Sequence, residues 1–365
     1  MQHLINHRSS ADVQQLRDML NKIMDVYESV TPSIHRTTAS LPIILSRAYH
    51  LVISLLNKQT LEFGLSHAKF TTLMLLFRTE NHRLTMTEIS LQQHVTRTNI
   101  TKLVDALENE RFVQRVKDPR DRRSAIVILT AHALDFINAH LQNYWNRQKQ
   151  LFSGLSEFEK THLIELLYQW IAHSMILTKG ANAFELEKYM FAEQRMMQGI
   201  LDKHQSVTPD LHRTSSALPI LIARAYNSVM PLLNQLTQEF GLSHAKFSTL
   251  LLLYRTDGRK LTMTEISQQK NVTRTNVTKL VDALEQDGFV QRTKDPADRR
   301  SFIVQLSDHG LDFISSHLTQ YWENHHRLFH GLAESEQEDI LASLIRLVVS
   351  VTAIGESVMK PEPMI

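Results

Sequence analysis

One stretch of this chain concentrates side chains that could grip a polyanion and read it. In LTMTEISLQQHVTRTNITKLVDALENE, Thr85 with Glu88 three residues on is a capping-box signal for a short helix, and Thr96 can cap a second after a turn at His94–Val95. On that second helix Ile100, Leu103, Val104 and Leu107 share one face and must pack inward. The opposite face carries Thr98, Thr101, Lys102 and Asp105, with Arg97 and Asn99 at its N-terminal edge. Short hydroxyls permit close approach, Asn and Arg hydrogen-bond base edges, Lys meets phosphate, and a helix N-terminus favours anions. A solvated amphipathic face has the same composition, so this helix alone leaves both readings open.

The residues that follow tilt the balance. FVQRVKD alternates apolar and polar, PRDRR turns, and SAIVILT returns as a β-branched strand. A basic hairpin directly after two short helices is the order of a winged helix-turn-helix. Its tip holds Arg120, Arg122 and Arg123 beside Asp118 and Asp121. Arginines on a narrow projection suit the minor groove of double-stranded DNA, and a neighbouring Asp can hold one in place.

The whole arrangement occurs twice. Thr31–Thr130 aligns with Thr208–Ser307 at a constant offset of 177 without a gap, about two positions in three being identical. The second recognition helix carries Arg274, Thr275, Asn276, Thr278 and Lys279, and the second wing Arg299 and Arg300. A period this long marks a duplicated domain rather than a solenoid. Sparse Pro and Gly and apolar residues at helical spacing make both copies mainly α with small β wings. Ile164–Leu177 and Asp339–Val351 are apolar on a wide face and belong against other helices. The glycine-containing break Thr178–Ala183 sets the copies at 1–180 and 181–365, with winged helices at about 62–132 and 239–309, and a helix at Phe184–Lys203 opening the second copy.

Composition narrows the function classes. Cysteine is absent, which excludes disulfides and thiolate catalysis and fits a reducing cytoplasm. No uninterrupted apolar run of membrane length occurs, and the N-terminus does not read as a signal peptide. GxGxxG, P-loop, HExxH and GxSxG patterns are all missing, so an enzyme is not expected, nor a cofactor. Net charge is only +2; from Arg97 to Arg123 eight Lys/Arg face five Asp/Glu, and from Arg274 to Arg300 six face five. Basic groups that few must be well aimed.

MTEIS, VTRTNITKLVDALENERFVQRV and the wing Asp121-Arg122-Arg123 leading to Leu129-Thr130 resemble the MarR family of winged-helix transcription regulators, and Asp298-Arg299-Arg300 through Leu306-Ser307 matches nearly as well. The resemblance implies a regulator, most often a repressor, in which terminal helices join two winged helices into a dimer. Here one chain supplies both, so the expectation is a monomeric pseudodimer reading both half-sites of an inverted-repeat operator. Such half-sites lie roughly 10 base pairs apart, and the covalent link holds the second copy at an effective concentration of about millimolar. The copies agree at all five exposed recognition positions and differ at Leu91/Gln268, Gln93/Lys270, His94/Asn271 and Arg120/Ala297, so the asymmetry should fall at the operator's edges.

The resemblance also implies a small aromatic or anionic effector between the dimer helices and the winged helix. His35, Arg36 and Tyr49, with their counterparts His212, Arg213 and Tyr226, fall in that region; Arg47 and Arg224 lie beside the tyrosines, and GLSHAKF repeats unchanged at 64–70 and 241–247. Structural contacts are the other reading of these residues, and for His67 and Lys69 that reading is a helix start. A constitutive or architectural DNA-binding protein without an effector is the alternative function. Nineteen histidines raise the question of metal, yet the densest stretch, ENHHRLFH, offers His326 and His330 without counterparts in the first copy, so no metal site is expected.

Overall fold

The computed structural model describes residues 2–93, 95–118, 125–180, 185–270, 272–295, 302–329 and 331–358. The first copy runs α1 (Gln2–Glu28), α2 (Arg36–Glu62), α3 (His67–Phe77), β1 (Arg83–Thr85), α4 (Met86–Gln93), α5 (Arg97–Asn109), β2 (Val113–Lys117), β3 (Ala125–Leu129), α6 (Ala131–Leu151) and α7 (Glu157–Lys179). The second runs α8 (Leu186–Gln205), α9 (Arg213–Gln238), α10 (His244–Tyr254), β4 (Lys260–Thr262), α11 (Met263–Lys270), α12 (Arg274–Gln286), β5 (Val290–Lys294), β6 (Phe302–Leu306), α13 (Asp308–Arg327) and α14 (Glu334–Val358). The fold is mainly helical with two small antiparallel sheets, as expected. The helix expected from Phe184 spans Leu186–Gln205.

Each sheet has three strands, in the orders β1-β3-β2 and β4-β6-β5. The hairpin register pairs Val113 with Leu129 and Lys117 with Ala125. Leu84 pairs with Val127, so a short strand that the sequence reading missed ties the start of the helix-turn-helix to the wing. Three residues are too few for alternation to show. Ile100, Val104 and Leu107 are buried beneath α5, and Leu103 is half-buried.

The chain divides into two compact units, and they are not the two sequence copies. One comprises Met1–His50, Glu165–Met190 and Arg224–Val349; the other comprises Leu51–Ile164, Phe191–Ala223 and Ser350–Ile365. Within the first unit, Met24, Tyr27, Ile34 and Ala39 from the first copy share one core with Phe247, Val277, Val281, Ile314 and Trp322 from the second. Tyr27 Oη donates to the Leu251 carbonyl at 3.2 Å, and its ring lies 5.1 Å from Trp322. The second unit makes the reciprocal arrangement: His204, the counterpart of Tyr27, lies 4.9 Å from Trp145 of the first copy. In the second unit Lys203 of α8 also lies 5.8 Å from the Phe77 ring of α3, so in each unit the N-terminal helix of one copy packs against the other copy.

α2 and α9 have the length and mean hydropathy (1.5 and 1.2) of membrane spans, with 50% and 56% of the relevant window buried inside the fold. The absence of an uninterrupted apolar run did not foresee this, because averaging tolerates interspersed polar residues. Half-burial of this kind is how a long core helix reads: Leu41, Ile44, Leu45, Ala48, Val52 and Leu56 are all buried along one face of α2.

Candidate nucleic-acid interface

Capping sets both recognition helices. Thr96 Oγ1 accepts from the Asn99 amide and Thr273 Oγ1 from the Asn276 amide, each satisfying one of the donors a helix N-terminus leaves open. The preceding short helices carry the expected capping boxes. The Thr85 amide donates to Glu88 Oε2 at 2.7 Å while the Glu88 amide donates to Thr85 Oγ1 at 3.2 Å, and Thr262 with Glu265 repeats this. Ser90 Oγ donates to the Val95 carbonyl at 2.6 Å, holding the turn between the two helices.

Arg97, Thr98, Asn99, Thr101 and Lys102 are all exposed, and so are Arg274, Thr275, Asn276, Thr278 and Lys279. Thr101 and Thr278 each spend their hydroxyl proton on a carbonyl one turn back, at 3.0 Å, which leaves the oxygens as acceptors. Arg274 donates to Thr264 Oγ1 at 2.9 Å.

Asp105 reads from sequence as part of this exposed face, but its charge is taken up by a residue the sequence reading passed over. Arg115, on β2, donates to Asp105 Oδ1 at 2.6 Å and pairs with Glu108 at 3.3 Å, while its amide donates to Glu108 Oε1 at 3.0 Å. In the second copy Arg292 holds Asp282 at 2.6 Å and also pairs with Glu285. The clamp joins wing strand to recognition helix and offsets a carboxylate that would repel phosphate. Its only sequence signal was recurrence: Asp105 and Arg115 reappear ten residues apart as Asp282 and Arg292.

The wing residues Arg120, Arg122, Arg123, Arg299 and Arg300 lie outside the described residues, as do His94 and Asn271. The paired strands flanking each wing are in place.

The candidate effector residues do not converge on one site. His35 Nδ1 contacts Thr38 Oγ1 at 2.7 Å and its Nε2 lies 3.3 Å from Glu334. His212 repeats this with Ser215 at 3.1 Å and Glu157 at 3.4 Å. Arg36 is engaged by Asp25 at 2.5 Å and Glu28 at 2.6 Å, and Arg213 by Asp202 at 2.8 Å and Gln205 at 2.6 Å. Tyr49 lies about 20 Å farther along the chain from His35 at helical rise. It stacks on its own counterpart Tyr226, with centroids 4.1 Å apart and planes within 7°. Burial raises the pKa of both phenols. Ser66 caps α3 by accepting from the Lys69 amide, and the His67 amide donates to Asn57 Oδ1 at 2.9 Å, so GLSHAKF starts a helix.

Among the described residues no three His, Asp or Glu are grouped to hold a metal. His325 is buried and desolvation pushes its pKa down to about 3; His326 packs 4.7 Å from His35, and His330 lies outside the described residues.

The MarR family model matches residues 65–125 and 242–302, two segments 177 residues apart that cover both winged helices. The chain is 33% identical over 104 residues to the HTH-type transcriptional repressor YetL of Bacillus subtilis (strain 168), aligning 28% of this chain with 62% of that protein. The matched region thus spans less than two thirds of that relative's length. The chain is also 32% identical over 124 residues to the HTH-type transcriptional regulator YkoM of the same organism, covering 34% of this chain and 79% of that one. Among solved structures it is similar to Sco5413, a MarR family transcriptional regulator from Streptomyces coelicolor, at 21% identity and TM-score 0.34, covering 40% of this chain and 98% of that one. Two family matches in register with the internal repeat, and a relative matched over most of its length, establish that this chain belongs to the MarR family and carries its winged-helix module twice.

Proposed function

We propose that the chain is a transcription regulator of repressor type that binds double-stranded DNA as a monomeric pseudodimer, α5 and α12 each reading one half-site of an inverted repeat. The observation that carries this reading is the pair of recognition helices, whose five exposed candidate contacts are identical in type and capped alike. The packing of each copy's N-terminal helix against the other copy supports pairing within one chain, because a helix that a dimer partner would supply is supplied here by the same chain. Catalysis is not part of the reading, and a cytoplasmic location follows from the role.

Release by a small aromatic or anionic effector belongs to the same proposal, with His35, Arg36, Tyr49, His212, Arg213 and Tyr226 as first candidates. One observation favours the alternative of a constitutive DNA-binding protein: both arginines are already engaged by carboxylate or amide oxygens, so an anion would have to displace them.

The test is sedimentation combined with selection from a randomised duplex library, run on the protein and on an Arg97→Ala/Arg274→Ala variant. A monomer that selects one inverted repeat, with that preference lost in the variant, is the expected result. A tight homodimer, or selection of a single half-site, would overturn the single-chain reading. A benzoate titration of the complex then separates the two variants of the proposal: release supports the effector, undisturbed binding the constitutive protein.

A further inference from the structure

Lys270 ends α11, at the turn into the second recognition helix, and no acid among the described residues pairs with its amine. Three other lysines with little exposure pair with acids: Lys160 with Glu157, Lys69 with Glu110, Lys246 with Asp287. Lys270 Nζ instead donates to Ser248 Oγ at 2.7 Å and to the Ala245 carbonyl at 3.4 Å, both neutral. Ser248 Oγ gives its own proton to the His244 carbonyl at 2.6 Å, so a lone pair faces the amine. The charged group acting on Lys270 is another cation, Arg255, and Lys270 in turn acts on His244, whose Nδ1 is buried without a partner.

Burial without an anion, beside a guanidinium, favours the uncharged amine. Desolvation and Arg255 push the Lys270 pKa down to about 7. A neutral amine that donates both protons, to Ser248 and Ala245, keeps its nitrogen lone pair unengaged, and the side chain is half-buried rather than sealed in the core. Lysines desolvated or set beside another cation are the ones that act as nucleophiles toward carbonyl compounds. The first copy has Gln93 at this position, whose amide donates to Thr72 Oγ1 at 2.9 Å, and the chain has no cysteine to compete for electrophiles.

We propose that Lys270 is a covalent site for small aldehydes, present in the second winged helix and missing from the first. The nitrogen lone pair adds to the carbonyl carbon, and the carbinolamine then loses the carbonyl oxygen and the two nitrogen protons as water. A C=N bond remains. The adduct gives up the two bonds that moor the end of α11 to α10. This site stands independently of the DNA-binding reading.

The test treats the intact protein with limiting glycolaldehyde and cyanoborohydride, which reduces the imine to a stable secondary amine, and locates adducts by peptide mass spectrometry from pH 5.5 to 9. At pH 7 about half of Lys270 is neutral, against roughly one in 3,000 of an ordinary lysine. Labelling of Lys270 should exceed that of exposed Lys58 or Lys149 at least tenfold, with a midpoint about pH 7. Lys270→Gln copies the first copy's Gln93, so it should fold and lose this adduct while surface labelling persists. Labelling that simply follows exposure, a Lys270 midpoint above pH 9, or an unlabelled Lys270 would each overturn the proposal.

Discussion

Truncating the clamp between wing strand and recognition helix should weaken DNA binding more than it weakens the fold. Arg115 is 27% exposed, and its partners Asp105 and Glu108 are 49% and 38% exposed. Ion pairs that wet are screened and contribute about 0.2–1 kcal/mol each. Arg115→Ala should therefore cost roughly 1 kcal/mol in urea denaturation, with the amide bond to Glu108 retained. The effect on DNA is of another kind. Removing the guanidinium takes away one positive charge and uncovers the Asp105 carboxylate, one turn from Thr101 and Lys102. Affinity should fall about tenfold, or ~1.4 kcal/mol, and the slope of log affinity against log salt should shrink by about 1. Fluorescence anisotropy on the selected duplex, at several salt concentrations, reads both quantities. Adding Asp105→Asn to Arg115→Ala removes the uncovered charge and should restore most of the lost affinity. Full affinity in Arg115→Ala, or no recovery in the double variant, would refute the electrostatic argument; a stability loss above 3 kcal/mol would mean that the clamp holds the fold.

Further outcomes follow from the same contacts. Desolvation holds the pKa of His325, His244 and His204 down to about 3 and that of His67 to about 4. A base with a depressed folded pKa binds more protons when unfolded, so its contribution is full above pH 6.5 and is lost as pH falls to the folded pKa, at up to about 1.4 kcal/mol per pH unit for each histidine. His325→Gln, which copies Gln148, should flatten that acid slope by one proton in urea titrations between pH 7 and pH 5; an unchanged slope would remove His325 from the account. His204 has no partner for either ring nitrogen, whereas its counterpart Tyr27 donates to a carbonyl. His204→Tyr should stabilise the protein by about 1 kcal/mol, and a loss of stability would show that the two cores differ more than these residues reveal. Thr96→Ala or Thr273→Ala removes a helix cap and should cost about 1 kcal/mol, checked by denaturation. The Tyr49–Tyr226 stack should give a coupling of about 0.5–1.5 kcal/mol in a double-mutant cycle with alanine; zero coupling would mean that the rings do not stack in solution.

Local chemistry was legible in the residues themselves. The 177-residue offset, the Thr85–Glu88 box, the Thr96 cap and the face bearing Arg97, Thr98, Asn99, Thr101 and Lys102 depend on neighbours within one or two turns, which order along the chain specifies. The long-range partners were a different matter. Periodicity says that one face of α1 must be covered, but two copies with nearly the same pattern offer nearly the same cover. Tertiary packing decided that Tyr27 bonds Leu251, 224 residues away, and that Thr38 bonds Gln337, 299 residues away. It also decided what each charge is free to do. His35 and Arg36 looked available to an anion until Glu334, Asp25 and Glu28 were placed beside them. Asp105 looked exposed to phosphate until Arg115 reached it across the wing. Residue type sets what a group can bond, whereas its availability depends on which other group folding brings within about 3 Å, and that choice is made by the packing of the whole chain.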